Sequence, residues 1–470
     1  MPAEAVTENG RSNPATQRVF VLDKHGRPLQ PCHPARAREL LTKGRARVHR
    51  HTPFVIRLID RTVEDSVVAG VEVGVDPGSK ATGLAVFTVT DSVDTTTGEV
   101  ATARQGIWLG ELIHRGLVIK KAMHARAALR RGRRSRNLRY RAPRFNNRTR
   151  QANRADSGVW LPPSLNHRLD TTLSWLDRLS RWAPVTAVHV ERVRFDTQKM
   201  LNPDIAGTEY QRGSLFEYEV REYIFEKWGR QCIYCDTTKG PFNLDHLLAK
   251  ARGGSNRASN LGPACIGCNT DKGSQLIEDY LAHDPKRLAR INAKRQKPLS
   301  DAAAVNATRW AIFRMVEALG NRRGFTVHAS TGGRTKWNRH NTGTPKTHAL
   351  DALCVGVLDA VAGYPATTNE IKCTGRGSYA RTRSDKYGFP RLRLTRTKQH
   401  FGFATGDLVK AFVPTGAKAG THIGRVAVRK TGSFNITTPS GVVQGISHRH
   451  IKNIQRADGY THTTRKEVAA

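Results

Sequence analysis

The sequence predicts an α/β multidomain protein: a mixed core of strands and helices, a small metal-stapled module inserted into it, a small α+β domain ahead of it and a short-stranded β-barrel behind. Three observations carry that prediction. Two CxxC pairs, Cys232/Cys235 and Cys265/Cys268, enclose one compact stretch. Acids stand at the ends of valine-rich runs far apart in the chain, Asp76 in VEVGVDPG and Glu191 in VTAVHVERV. Between those runs, Gly116 to Ala155 holds fourteen Lys and Arg and no Asp or Glu.

A chain of 470 residues can divide into several domains, each with its own core. Its formal net charge is +38, from 77 Lys and Arg against 39 Asp and Glu, and its pI is near 10.7. Self-repulsion of that size is tolerable when the normal partner is a polyanion, which points to nucleic acid. A membrane surface is the rival, but the sequence has neither an amphipathic anchor nor a long apolar span. MPAEAVTENGRSNPATQ contains no apolar signal segment, which argues against secretion. Cys32, Cys354 and Cys373 stand singly, so cysteine usage suits a reducing cytosol with one metal site rather than a disulfide framework.

Taken in order, residues 1–17 are polar and patternless and read as a disordered lead-in. Residues 18–60 read as a small basic domain: a strand, an HGRP turn, a helix opened by Pro34 and stopped by Gly44, and a further strand. Cys32 and His33 are adjacent with no second ligand pair, and read as incidental. In residues 68–115, Val71, Val73 and Val75 alternate into Asp76, and Pro77-Gly78 turns the chain into a second strand from Thr82 to Val89. An acid at the end of a central strand, followed by a Gly/Ser turn, is how an RNase H-like fold presents its first metal carboxylate. DSVDTTTGEVATARQ reads as a polar excursion before a third strand, GIWLGEL. Over residues 116–155, Arg126, Arg130, Arg131, Arg133, Arg134, Arg136, Arg139 and Arg141 fall on every face of a helix that Pro143 ends or kinks. Such a helix cannot pack into a core. It needs phosphates on several sides, and the planar fork of Arg suits them.

Residues 156–200 supply a helix with a leucine stripe (Leu165, Leu169, Leu173, Leu176, Leu179), a break at Pro184 and the strand that ends near Glu191. A helix around SLFEYEVREYIFEKWG then enters the cysteine module, assigned to 214–282. Residues 298–365 follow with a helix from Ser300, the strand FTVHAS, a basic Gly-rich loop (STGGRTKWNRHNTGTPK, with Trp337 available for stacking) and an apolar helix, THALDALCVGVLDAVA. His348 and Asp351 lie three apart near the start of that helix, hence on one face. Residues 380–456 alternate in short runs between Gly and Pro turns, suggesting an SH3-like barrel, and 457–470 reads as a frayed tail.

The chemistry of the module lies between Trp228 and Ser274. Four thiolates in two tight turns suit a closed tetrahedral zinc site, which can hold together a module too small for a sizeable core. Inside that clasp Asp245 adjoins His246, and Asn260 and Asn269 follow. A neutral His can take a proton from water, while a carboxylate and an Asn oxygen can hold a hard divalent cation. A bare zinc ribbon is the bland alternative. DH ten residues after the second Cys, then SNL, then CxxCN and DKGS, resembles the HNH nuclease motif. That resemblance implies His246 as general base, Asp245 and Asn269 as metal ligands, Asn260 as the Asn that orients the histidine, and a ββα-metal fold.

Asp76, Glu191 and the His348/Asp351 pair resemble the three split pieces of a RuvC nuclease. An Arg-rich helix lies between the first two pieces, and an HNH module between the last two. This order resembles the IscB family of transposon-encoded RNA-guided DNA nucleases, relatives of the type II CRISPR effectors. The stretch Pro28-Leu29-Gln30-Pro31 is similar to that family's PLMP signature, with Gln for Met. The resemblance implies a monomeric protein in a ribonucleoprotein with a long structured guide RNA, in the prokaryotic cytosol near the nucleoid, with no membrane. It implies cleavage of duplex DNA beside a short target-adjacent motif contacted by the C-terminal barrel, base pairing choosing the sequence. HNH would cut the guide-paired strand and the RuvC-like site the displaced strand. Mg²⁺ would serve both sites, held by Asp76, Glu191 and Asp351 in one and by Asp245 and Asn269 in the other, with His348 assisting and Zn²⁺ structural. The alternatives are a protein-guided HNH endonuclease of homing or restriction type, and a non-catalytic nucleic-acid-binding protein.

Overall fold

The computed structural model describes residues 16–93, 100–135, 161–192, 221, 224–225, 227–295, 300–374, 382–387, 389–393 and 397–467. The expected lead-in, apart from its last two residues, and most of the helix expected to enter the module lie outside the described residues.

The first domain is a four-stranded sheet with one helix. β1 (Val19–Leu22), β2 (Pro28–Cys32), β3 (Ala46–Arg50) and β4 (Val55–Leu58) lie in the order β2-β1-β4-β3, with β1 parallel to β4. The helix α1 (Pro34–Thr42) opens at Pro34, where the missing N–H costs no intrahelical bond, and Gly44 follows its end at φ +65. His33 is the N-cap, its ring accepting from the Ala35 N–H at 3.2 Å, so the residue read as incidental starts the helix.

β5 (Val71–Pro77), β6 (Ala81–Val93) and β7 (Val100–Ile113) form an antiparallel meander. The polar stretch expected as an excursion is mostly an extension of the β6–β7 hairpin, with Asp91 opposite Thr102 and Val93 opposite Val100. Its polar side chains suit a ladder whose far end stands in solvent, and the buried Arg104 anchors the near end by donating to the Leu353 and Val355 carbonyls. α2 (Gly116–Ser135) and α3 (Pro163–Trp182) pack together before β8 (Val185–Glu191), which runs parallel to β5.

The inserted module contains β9 (Phe242–His246) antiparallel to β10 (Leu261–Cys265), then α4 (Ile266–Lys272), α5 (Ile277–Tyr280) and α6 (Pro285–Arg295). Its own core joins Trp228, Ile233, Leu247 and Leu261 to Ile277, Leu281 and Ile291. The module therefore runs to Arg295, past the expected boundary at 282, because Ile291 of α6 closes its core.

α7 (Ser300–Arg323) returns the chain to the main sheet at β11 (Thr326–Ser330), parallel to β8. The expected Gly-rich loop is largely a helix, α8 (Gly332–Asn341), capped by Thr331, whose hydroxyl accepts from the Arg334 N–H. The following helix is shorter than expected: α9 (His348–Leu353) ends at Cys354. Gly356 then takes φ +103, and the chain pairs with β7 as β12 (Ala360–Gly363) and β13 (Thr367–Cys373). Apolar content alone did not separate buried helix from buried strand here.

Beyond it, β14 (Thr382–Ser384) pairs with β15 (Pro390–Arg393), and β16 (Gln399–His400) with β17 (Phe403–Ala404). β18 (Leu408–Val413), β19 (Gly420–Ala427), β20 (Ser433–Thr438), β21 (Gly441–Ser447) and β22 (Ile451–Gln455) form an antiparallel sheet in the order β21-β20-β19-β18-β22. Its core includes Val409, Phe434, Ile436 and Ile446. The stretch expected to fray forms β23 (Tyr460–Lys466), antiparallel to β13. Tyr460 is buried edge-on against Trp175 at 5.6 Å, and Asp458 takes Arg50 and Arg178 together. A polar, Thr-rich run suits an edge strand with one wet face, which is why its sequence reads as tail.

The main sheet thus has eight described strands, ordered β11-β8-β5-β6-β7-β13-β23 with β12 also on β7. α9 lies against it unusually closely. An added Cβ at Gly83 would meet the His348 carbonyl oxygen at 1.7 Å, and one at Gly74 would meet that of Ala352 at 1.7 Å. Both glycines admit helix backbone where any side chain would hold it off. Gly83→Ala is therefore expected to destabilise the protein by about 1–3 kcal/mol or more. Denaturant unfolding checks this, and an unchanged midpoint would mean that α9 can lie further from the sheet.

Candidate active sites

Residues from three distant segments meet at one end of the main sheet. Val75 and Val190 are paired in the parallel β5–β8 ladder, so the next residues, Asp76 and Glu191, stand side by side at the ends of the two strands. Gly83 lies opposite Asp76 in the β5–β6 ladder, and on it rests the first residue of α9. That contact delivers the His348 ring, whose Nδ1 is 2.5 Å from Asp76 Oδ2. One turn on, Asp351 is buried, with Lys346 Nζ 2.5 Å from Oδ2 and Arg339 Nε 3.2 Å from Oδ1.

Proton affinities follow from this crowding. Burial, then the charges of Asp76 and Asp351, push Glu191 up to about 8. Burial also raises Asp351, against the pull of Lys346. For Asp76 burial works upward too, but the charge and hydrogen bond of His348 hold the carboxyl below its usual value. Three carboxylates pressing on one another in a buried site are the donor set of a hard divalent cation, and Asp351 Oδ1 is buried with no hydrogen-bond partner. The donor types suit such an ion, while the ligand oxygens of the three acids do not all lie within 4.8 Å of one another.

Sequence reading missed the supports. Arg168, buried in α3, donates to the Pro77 carbonyl at 2.5 Å and also to Thr308, bracing the turn after Asp76. Burial lowers it only to about 10, so it stays cationic. Thr335, buried on α8, donates to the Thr331 carbonyl at 3.3 Å. His114, His167 and Cys373 also gather nearby. Both His114 nitrogens are taken by Thr82 and Thr171, and His167 Nε2 accepts the Arg115 N–H, so this group reads as a polar brace. Only its helical register could have flagged Arg168 as inward-facing.

In the inserted module the four cysteine sulfurs lie within 4.8 Å of one another, with Cys235 and Cys265 3.8 Å apart. A tetrahedral zinc with Zn–S bonds of ~2.3 Å requires sulfur–sulfur edges of ~3.8 Å, so the cluster fits zinc. Asp245 and His246, adjacent on β9, face opposite ways. Asp245 turns inward, accepting from the Tyr234 hydroxyl at 2.5 Å and pairing with the fully buried Lys272 at 3.2 Å. Lys272 also donates to the His246 carbonyl at 2.9 Å. An ion taking Asp245 must share it with Lys272. His246 Nε2 meets Asn256 Oδ1 at 2.8 Å; that oxygen only accepts, so Nε2 is the donor in this contact.

Asn260 does not touch the imidazole. Its side chain braces the turn after β9, accepting from the Leu248 N–H and donating to the Leu248 and Ser255 carbonyls. Its bonds reach only the loop that follows His246, and it is Asn256, which the sequence reading passed over, that bonds the ring. Asn269 is half-buried on α4, which packs on both β9 and β10.

A family model described as HNH endonuclease matches residues 232–284. The chain carries an HNH endonuclease domain. A model described as RRXRR protein matches residues 19–213, and that pattern stands in the sequence as Arg130-Arg131-Gly132-Arg133-Arg134. No curated protein matches. Among solved structures the chain is similar to Streptococcus thermophilus Cas9 in complex with the GGAA PAM, at 10% identity and TM-score 0.21, covering 56% of this chain and 32% of that one. It is also similar to the Type II-C Cas9 enzyme from Actinomyces naeslundii, at 17% identity and TM-score 0.15, covering 46% of this chain and 28% of that one. The matched portion is thus less than a third of either protein's length.

Outside the HNH domain, α2 carries Arg126, Arg130 and Arg131 exposed. Arg133 and Arg134 lie in the same helix, while Arg136, Arg139 and Arg141 lie outside the described residues. Trp337 is half exposed on α8, with the Arg334 guanidinium 4.6 Å from its ring centre. No described helix is long and apolar enough to cross a membrane.

Two outcomes are expected. Cys265→Ser should release the zinc and unfold the HNH domain while the main sheet stays folded; metal analysis and limited proteolysis check both. Glu191 keeps its proton up to about 8 when folded but releases it near 4.5 when unfolded. Folding thus takes up a proton between those values, and stability in magnesium-free buffer should fall as pH rises through that window. Glu191→Gln should flatten the slope, as read by thermal unfolding.

Proposed function

We propose that this chain is an RNA-guided DNA endonuclease with two metal-dependent sites, an RNase H-like, RuvC-type site on the main sheet and the HNH site. The observation that carries the reading is the meeting of Asp76, Glu191 and Asp351, from three segments interrupted by an arginine helix and an HNH domain. A protein-guided HNH enzyme has no use for the second carboxylate site or for an acid-free helix. Divalent ions bound at each site would supply Lewis-acid stabilisation of charge on the phosphate undergoing attack.

The chain's own residues do the rest. In the HNH site His246 Nδ1 accepts the proton of the attacking water, and Asn256 keeps the ring's other nitrogen protonated. Asn260 holds the loop beneath it. Asn269 and Asp245 supply oxygens, Asp245 restrained by Tyr234 and Lys272. In the RuvC-type site Asp76, Glu191 and Asp351 supply the acidic oxygens, and His348 holds Asp76 as an anion ready for an ion. The arginines of α2 contact guide RNA phosphates, and the C-terminal sheet contacts the target-adjacent motif.

Because the two sites draw on separate segments, they should be separable. His246→Ala should leave a nickase for the displaced strand, and Asp76→Ala one for the guide-paired strand. Strand-labelled plasmid cleavage by protein purified with its RNA tests this, and loss of both cuts from either change would refute independent sites. A discrete RNA should copurify; its absence favours a protein-guided enzyme. Replacing Arg126, Arg130 and Arg131 with Gln should weaken RNA binding and flatten its log–log salt dependence by about two. Filter binding across a salt series measures that slope.

A further inference from the structure

We infer that Lys346 is a resident countercation of the Asp76/Glu191/Asp351 cluster, which a divalent ion must displace from Asp351; this rests on the metal-dependent reading of that site. Lys346 sits in the irregular stretch between α8 and α9, and its ammonium lies 2.5 Å from Asp351 Oδ2. The two partners are unequal. The Asp351 side chain is 3% exposed and fixed in the first turn of α9, whereas that of Lys346 is 34% exposed on flexible stem carbons. The lysine is the more exposed and longer-stemmed partner of the pair.

The other cations nearby are not placed to do the same. Arg339 reaches Asp351 Oδ1 at ion-pair distance without hydrogen-bond geometry, and it is carried by α8, whose Asn338 is tied to the Cys354 and Gly356 carbonyls. Arg168 is committed to the Pro77 carbonyl and Thr308, and His348 to Asp76.

An ammonium and a divalent ion that seek the same oxygen repel each other, so each weakens the other's hold by one and the same factor. Lys346 therefore steadies the acids while no ion is bound, and sets ion affinity below what the carboxylates alone would reach. Once displaced, it remains at the exposed side of the cluster as a point charge suited to phosphate.

The test is a calorimetric Mn²⁺ titration of the full-length chain, with Asp76→Asn marking which binding event belongs to the cluster. Lys346→Met should bind Mn²⁺ about tenfold more tightly there, within the usual range of such couplings, and should melt at a lower temperature than wild type when no ion is present. Lys346→Gln should shift affinity in the same direction, and Lys346→Arg should stay near wild type. Unchanged or weaker Mn²⁺ binding in folded Lys346→Met and Lys346→Gln overturns the countercation role and leaves the metal site standing. If Asp76→Asn removes no Mn²⁺ binding event from the wild-type chain, the metal-dependent reading falls and this inference with it.

Discussion

The closeness of α9 to the main sheet governs this molecule, because it decides whether the acids meet at all. Asp76 and Glu191 are brought together by the β5–β8 ladder alone. Asp351 and His348 come from a helix that begins more than 150 residues later, and reach them only because Gly74 and Gly83 admit helix backbone onto the strands. A side chain at either position would lift α9 and move both groups together. The electrostatics inherit that constraint. Asp76 raises the proton affinity of Glu191 and Asp351, and Asp351 that of Glu191, while His348, Lys346, Arg339 and Arg168 supply the compensating charge.

A second constraint is local to the inserted domain. Its core is small, and the sulfur cluster lies where β10 passes into α4. Zinc there would tie the turn before β9 to the start of α4, joining the pieces that carry His246 and Asn269. Beneath them Lys272 and Tyr234 secure Asp245 from the buried side. Each candidate site thus has a carboxylate paired with a lysine. The HNH lysine is sealed in the core, whereas the other is partly open to water.

The charge of +38 sits on a scaffold whose folded parts answer it only locally. Asp458 joins Arg50, Arg178 and His462, tying the first domain to α3 and β23. The exposed arginines of α2 stand on a stretch whose sequence holds no acid to answer them, which leaves phosphate as their natural counterion.

Much was legible without coordinates. Alternation of Val71, Val73 and Val75 marks a buried strand, the spacing of Cys232, Cys235, Cys265 and Cys268 marks a metal clasp, and the acids at strand ends mark a candidate site. Each is a short-range pattern, set by the two-residue repeat of a strand or the reach of one turn. Tertiary structure decided the rest: that a Thr-rich tail is an edge strand, that THALDALCVGVLDAVA splits into helix and strand, and that Asp245 faces inward. It also decided that Arg168, Asn256, Lys272 and Lys346 lie around the candidate sites. Some of those pairings join near neighbours and one spans 140 positions, but all are chosen by packing and burial, so no local period in the sequence records them.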